Sequence, residues 1–103
     1  MVRFLVMYNK PSDIEEFEQH YREVHIPLAK KLPGLRRYTL SRNMTPIQGG
    51  EPFYLVAELD WDEMDLLKQA FASPEGKATG RDVANLAQWS PGIRSMIYEL
   101  EEV

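Results

Sequence analysis

The order strand, helix, strand, strand, helix, strand predicts an α+β fold. The expected form is a ferredoxin-like βαββαβ sandwich, a four-stranded antiparallel sheet with its helices on one face. Three observations carry that expectation. The chain has 103 residues, one domain's length, with 44% hydrophobic and 27% charged residues, an ordinary globular composition. Apolar residues alternate between a period of 2 and a period near 3.6 in the stated order. Several strands are also apolar on both faces, although the helices cover only one. A second, identical sheet is the simplest cover, and two copies face to face would form an eight-stranded, barrel-like dimer.

The first strand is expected over Val2 to Asn9, with Phe4, Val6 and Tyr8 on one face and Leu5 and Met7 on the other. Lys10-Pro11-Ser12 ends it. A helix then runs from about Asp13 to Leu32. Ser12 or Asp13 can cap it, and Glu15 and Glu16 suit the dipole of its first turn. Ile14, Phe17, Tyr21, Val24, Leu28 and Leu32 recur at spacings of three and four as one apolar stripe, and Pro33-Gly34 stops the helix. Pro27 lies inside it. Lacking an N–H for the Glu23 carbonyl and disfavouring helical geometry at Ile26, it predicts a kink or restart near His25.

Leu35 to Asn43 reads as the second strand, followed by a loop from Met44 to Pro52 that holds Pro46, Gly49 and Gly50. Phe53 to Trp61 is the third strand, with Tyr54 and Val56 facing away from Phe53, Leu55, Ala57, Leu59 and Trp61. Asp62 can cap a helix to about Ala72. Ser73-Pro74-Glu75 has the form of a new helix start, with serine as cap and proline in the first turn. That helix extends to about Gln88, with a break expected at Gly80. Ser90-Pro91-Gly92 introduces the fourth strand, Ile93 to Glu101. It presents Arg94, Met96, Tyr98 and Leu100 opposite Ile93 and Ile97.

Charge and composition exclude several function classes. Twelve Lys+Arg against 16 Asp+Glu leave a net charge of −4 and a sequence pI near 5.1, without the basic footprint of a nucleic-acid binder. Lys30-Lys31 and Arg36-Arg37 are pairs rather than patches. No cysteine is present, which removes disulfides, zinc–thiolate sites and thiol nucleophiles. The chain enters strand-like sequence at once, without a signal-peptide pattern, and no apolar run approaches the roughly 20 residues of a membrane helix. A single cytoplasmic domain over residues 1–103, with no membrane partner, is the expectation.

Only two histidines are available for chemistry. On a helical wheel His25 lies roughly 50° from the centre of the apolar stripe and His20 roughly 90° away, so His25 leans inward and His20 flanks it. Tyr21, four positions before His25, shares its face. An imidazole near its ordinary pKa can act as general acid or base, though the same pattern also fits a hydrogen-bonded core histidine. Glu15, Glu16, Glu18 and Glu23 read as the outer helix face. The two histidines lack a His-x-x-x-His spacing, so no metal site is expected, and Gly49-Gly50 reads as a turn rather than a phosphate loop. Tyr8, Tyr38, Tyr54, Trp61, Trp89 and Tyr98 fit either core or pocket wall, and a buried phenol needs a partner.

The stretch from His20 to Leu35, with its His-Tyr, His-x-Pro-Leu and Leu-Pro-Gly elements, resembles the EthD family. Phe71-Ala72-Ser73-Pro74-Glu75-Gly76, Asp82-Val83-Ala84-Asn85 and Tyr8-Asn9-Lys10-Pro11 extend the likeness over nearly the whole chain. The resemblance implies a ferredoxin-like protomer, a sheet-to-sheet homodimer, and a site at His25, which maps onto the histidine of the family's His-x-Pro-Leu element. The resemblance places such a protein in the dimeric α/β barrel superfamily, which includes lactone isomerases, polyketide cyclases and dehydratases, monooxygenases and haem proteins. Thiol-assisted isomerisation is unavailable without cysteine.

The expectation is a cofactor-free lyase or isomerase, or a monooxygenase-like catabolic enzyme, acting on a small hydrophobic cyclic, lactone-like or aromatic compound. His25 would be the general base or acid, with Tyr21 and Tyr38 orienting polar groups. His20, Leu28, Tyr54, Trp61 and Tyr8 would line the substrate pocket. The alternative is a non-catalytic binding or accessory protein for an oxygenase system. Haem binding by the barrel is a third reading, with the two histidines as the only imidazole ligands.

Overall fold

β1 (Val2–Tyr8) is the central strand, antiparallel to β3 (Leu55–Trp61) on one side and to β4 (Arg94–Glu99) on the other. β2 (Arg37–Ser41) pairs with the outer edge of β3, giving the order β2-β3-β1-β4 with every neighbour antiparallel. This is the ferredoxin-like order, seen in a computed structural model that describes residues 1–103. Each strand is slightly shorter than its sequence suggests. The Arg36 N–H still reaches the Asp60 carbonyl (2.8 Å) and the Tyr54 N–H that of Tyr8 (2.8 Å), but the ladder stops there.

The helical layer consists of α1 (Ile14–His20), a π turn (Tyr21–His25), α2 (Ile26–Ala29), α3 (Met64–Ala72) and α4 (Pro74–Ala87). It covers the sheet face built by Val2, Val6, Tyr8, Leu55, Ala57, Leu59 and Trp61, all buried. Of the two candidate caps for α1, Asp13 takes the role, its Oδ1 accepting the Glu16 N–H at 3.1 Å. Trp61 is completely buried, and its Nε1–H donates to the Pro33 carbonyl at 2.8 Å. That bond pins the end of the first helical run to the sheet.

The restart expected near His25 is present: α1 ends at His20 and α2 begins at Ile26, with the π turn between them. Ile26 keeps helical angles (φ −58°, ψ −47°), and its N–H bonds the Tyr21 carbonyl five residues back. The turn is wider by one residue, which accommodates proline's missing donor and bulky ring while the backbone stays helical. The same widening moves the buried face by about one position. Phe17, Tyr21, His25, Ala29 and Leu32 are buried, whereas Val24 is 40% exposed.

Two other expectations are corrected. Asp62 does not cap α3; Glu63 occupies the cap position without a side-chain bond, and Asp62 sits exposed beside Arg36 Nε at 3.6 Å. Nor does Gly80 break α4, because one glycine weakens a helix without ending it. Ser73 does cap α4, its Oγ accepting the Gly76 N–H at 3.0 Å. Gly76 then permits the tight α3–α4 corner, since a Cβ there would overlap the carbonyl oxygens of Ala70 and Phe71.

The other sheet face has no helix over it. Leu5 lies beside Met96, which is 50% exposed, and Met7 beside Val56. Among these apolar groups Arg3 makes a bidentate pair with Asp60 (2.8 and 3.0 Å) and reaches Glu58 at 3.1 Å. Ser41 donates to Glu58 at 2.8 Å.

The two glycines of α4 should respond oppositely to alanine. Gly76→Ala forces backbone apart and is expected to cost about 2 kcal/mol or more. Gly80→Ala has room for its methyl and should stabilise by about 0.5–1 kcal/mol. Urea titrations at one protein concentration check this, and equal losses at both positions would contradict it.

Candidate functional site

α4 packs against α2, α3 and the π turn. Between this helical layer and the sheet lies a cavity of about 300 Å³. Phe4, Val6, Tyr8, Ala57 and Leu59 rise into it from the sheet, and Tyr21 and His25 descend from the π turn, with Tyr38 on β2 closing that end. Its surface is largely apolar; Tyr8, Tyr21, Tyr38 and His25 gather at one end, and Thr79 and Ser95 are the other polar side chains in the lining. A few convergent polar groups in an apolar hollow are what a small-molecule site requires.

His25 is held by Asp82 on α4, whose Oδ2 lies 2.9 Å from Nδ1. The carboxylate's other oxygen meets His20 Nε2 at 2.7 Å and the Asn85 side-chain amide at 2.9 Å. Asp82 and His25 are both about 5% exposed. With Asp82 ionised, the neutral His25 ring carries its proton on Nδ1 and donates it to the carboxylate. Nε2 is then left with a lone pair and no protein partner, on a residue that lines the cavity.

Three phenols stand beside this ring. The Tyr21 and Tyr38 hydroxyls are 2.6 Å apart, so one O–H bridges the pair while the other proton takes no part in that bond. The Tyr21 ring lies 5.2 Å from the imidazole, and the Tyr8 ring meets Tyr21 edge-on at 5.7 Å.

Burial sets the resting protonation. Desolvation lowers the His25 pKa below the ordinary imidazole value, and the Asp82 hydrogen bond opposes this without reversing it. Burial alone would raise the Asp82 carboxyl, but hydrogen bonds from Asn85, His20 and His25 together hold it below the usual carboxylate range. Burial also pushes all three phenols well up, so they stay protonated. At neutral pH the site presents one basic nitrogen and phenolic donors.

The structure therefore brings His25, Tyr21, Tyr38 and Tyr8 to one cavity. The other expected pocket residues lie elsewhere. His20 bonds the other oxygen of Asp82 and does not line the cavity, its ring 5.6 Å from that of Trp89. Leu28 is rotated off the cavity by the π turn, and Ala29 lines it instead. Trp61 is spent on Pro33, and the Tyr54 hydroxyl donates to Glu18 at 2.6 Å. Glu18 is not an outer-face residue either: Arg42 binds it bidentately at 2.9 and 3.0 Å. Burial would raise its carboxyl, but Arg42 and Tyr54 outweigh that and lower it.

The residue sequence reasoning missed is Asp82. Its signal was available: it stands four positions before buried Leu86, so a carboxylate falls on the inward stripe of α4 and needs a partner there. His20 and His25 each bond one oxygen of Asp82, and no group of three or more acidic or histidine side chains is arranged to hold a metal ion. No helix is long and apolar enough to cross a membrane.

An EthD domain model matches residues 9–90. The chain is 35% identical over 104 residues to an uncharacterized 11.0 kDa protein from the thcB–thcC intergenic region of Rhodococcus erythropolis, covering 100% of this chain and 98% of that one. Among solved structures it is similar to an ethyl tert-butyl ether degradation (EthD) family protein from Bacillus halodurans. Identity there is 34%, with 98% and 99% of the two chains covered and a TM-score of 0.84. Two more distant structures share the fold. A dimeric ferredoxin-like protein of unknown function from Bacteroides fragilis has 23% identity, 96% and 95% coverage and a TM-score of 0.64. SnoaB, a cofactor-independent oxygenase from Streptomyces nogalater, has 20% identity, 99% and 94% coverage and a TM-score of 0.68.

Acid should destabilise the protein through His25 and Asp82 together. Native His25 resists protonation more than the unfolded chain, so as pH falls through about 6.5 the unfolded state takes up the proton first and stability declines. Asp82, with its lowered pKa, adds a further loss through the carboxylate range. The urea midpoint is expected to drop between pH 7.5 and pH 5, less steeply in His25→Gln. A midpoint flat in wild type over that range would refute the assignment.

Proposed function

The chain belongs to the EthD family, and on that premise we propose that its cavity performs cofactor-free proton transfer on a flat cyclic compound carrying a carbonyl or phenolic oxygen. One observation carries this reading. Asp82 occupies Nδ1 of a buried histidine, which leaves the basic Nε2 to the same cavity as the Tyr21–Tyr38 hydroxyl pair.

The chemistry follows from those groups. Nε2 takes a proton from a carbon next to the carbonyl, and the electron pair moves onto the carbonyl oxygen. The spare phenolic proton hydrogen-bonds that oxygen, and Asp82 balances the imidazolium that forms. Return of the proton to a different carbon completes an isomerisation; loss of a leaving group from the neighbouring carbon completes an elimination. The oxygenase SnoaB, alike in fold, works without a cofactor, which supports substrate activation by protein groups alone.

Pairing of two copies through the uncovered sheet face belongs to the same proposal. Leu5, Val56, Met96 and Tyr98 supply its apolar area, and a protein alike in fold is dimeric. Met96→Arg places a charge on that face and is expected to shift the protein to monomer in sedimentation velocity. An unchanged dimer, or a wild type that is already monomeric, would count against the pairing.

A second reading, ligand binding without turnover, is favoured by the apolar lining and by a phenol pair that holds an oxygen without His25. Solvent deuterium incorporation separates the two, using lactones, cyclic ketones and hydroxyquinones as trial compounds. His25→Gln is expected to slow exchange by about 10²–10⁴-fold while leaving affinity nearly unchanged. Equal rates for the two proteins would remove the role of His25. Binding without exchange by wild type would establish the non-catalytic reading.

A further inference from the structure

Nothing in the helix explains Gly80. α4 runs through it unbroken, its φ is not positive, and a Cβ built there meets no atom within 4 Å. Glycine in a helix interior is less stable than any ordinary side chain, so the position loses stability without a conformational or packing reason. Gly76, one turn earlier, is required by the α3–α4 corner. Both glycines nevertheless line the cavity.

Their surroundings differ from the histidine end. Gly80 is exposed, as is Ser95 on β4, whereas Tyr8, Tyr21 and His25 are buried. At the imidazole end the lining is buried, and its exposed members, Phe71, Gly80 and Ser95, lie on α3, α4 and β4. Ile93 and Ser95 supply the sheet side of the α4–β4 end, and Gly76, Thr79, Gly80 and Val83 supply the helix side. The Thr79 hydroxyl is occupied by the Glu75 carbonyl at 2.8 Å, so the helix side presents little polarity to a passing molecule.

We propose that the gap between α4 and the start of β4 is the entrance to the cavity, and that the absent side chain at Gly80 sets the width of ring system that can enter. The proposal rests on the cavity being the ligand site. It favours a fused-ring compound whose oxygen enters first, toward Tyr21 and Tyr38, while its apolar rings stay between α4 and the sheet.

The test uses phenol as a one-ring probe and 2-naphthol as a two-ring probe, titrated against wild type, Gly80→Ala and Gly80→Leu. Wild type is expected to bind both. Gly80→Leu should keep phenol within about twofold and weaken 2-naphthol about tenfold or more, with Gly80→Ala between. Its urea midpoint should be no lower than that of wild type, since the change favours the helix; if leucine proves unstable, Gly80→Ala carries the same comparison at smaller amplitude. A Gly80→Leu protein that takes 2-naphthol as tightly and as fast as wild type overturns the entrance and leaves the cavity reading intact. Equal loss of both probes from a folded variant overturns selection by width. Failure of wild type to bind either probe overturns the cavity reading and the proposal together.

Discussion

The five-residue spacing of His20 and His25 becomes a site only because the turn between them is a π turn. On a regular α-helix at 100° per residue the two rings would point about 140° apart. Bonding from residue i to i+5 makes five residues close to one full turn, and both rings then reach the two oxygens of Asp82. Pro27 supplies the local cause, since a regular helix there would lose a hydrogen bond and crowd a carbonyl. A backbone adjustment forced by one proline thus sets which side chains face the cavity.

The electrostatics follow from that arrangement. A lone buried carboxylate would be driven to protonate, and a lone buried imidazole would do little to orient itself. Together, with Asn85, they satisfy each other: Asp82 stays ionised, and His25 stays neutral in a defined tautomer. The apolar cavity that disfavours the imidazolium also keeps the phenols protonated. Acceptor and donor are therefore both fixed in the resting protein.

Much of the fold was legible in the sequence, because it rests on patterns with a fixed period. β1 declared itself by apolar residues on both faces, Ser73-Pro74 by its cap chemistry, and the strand order by the alternation of periods. The site was less legible. A wheel drawn at α-helical pitch places Val24 and Leu28 inward and His20 on the flank, and the π turn shifts those assignments by about one residue. Tyr54 and Trp61 looked like pocket wall, yet Glu18 and Pro33 claim their polar atoms, and those partners lie 36 and 28 residues away in sequence. No local pattern encodes such pairings. Asp82 was the readable exception, a charge on an inward stripe.

The ring of Trp89 beside His20 gives the molecule an internal optical gauge. The chain has two tryptophans, and they differ in surroundings: Trp61 is sealed in the core with its indole N–H occupied, while Trp89 is half-buried 5.6 Å from an imidazole bonded to Asp82. An imidazole packed against an excited indole alters its emission, and the effect fades as the rings separate. The redder, more accessible part of the emission therefore reports on the contact between the Trp89 and His20 rings, while the bluer part from Trp61 serves as an internal standard. The seating of the first helical run against the end of α4 can be followed by light in the unmodified protein, with neither label nor substrate.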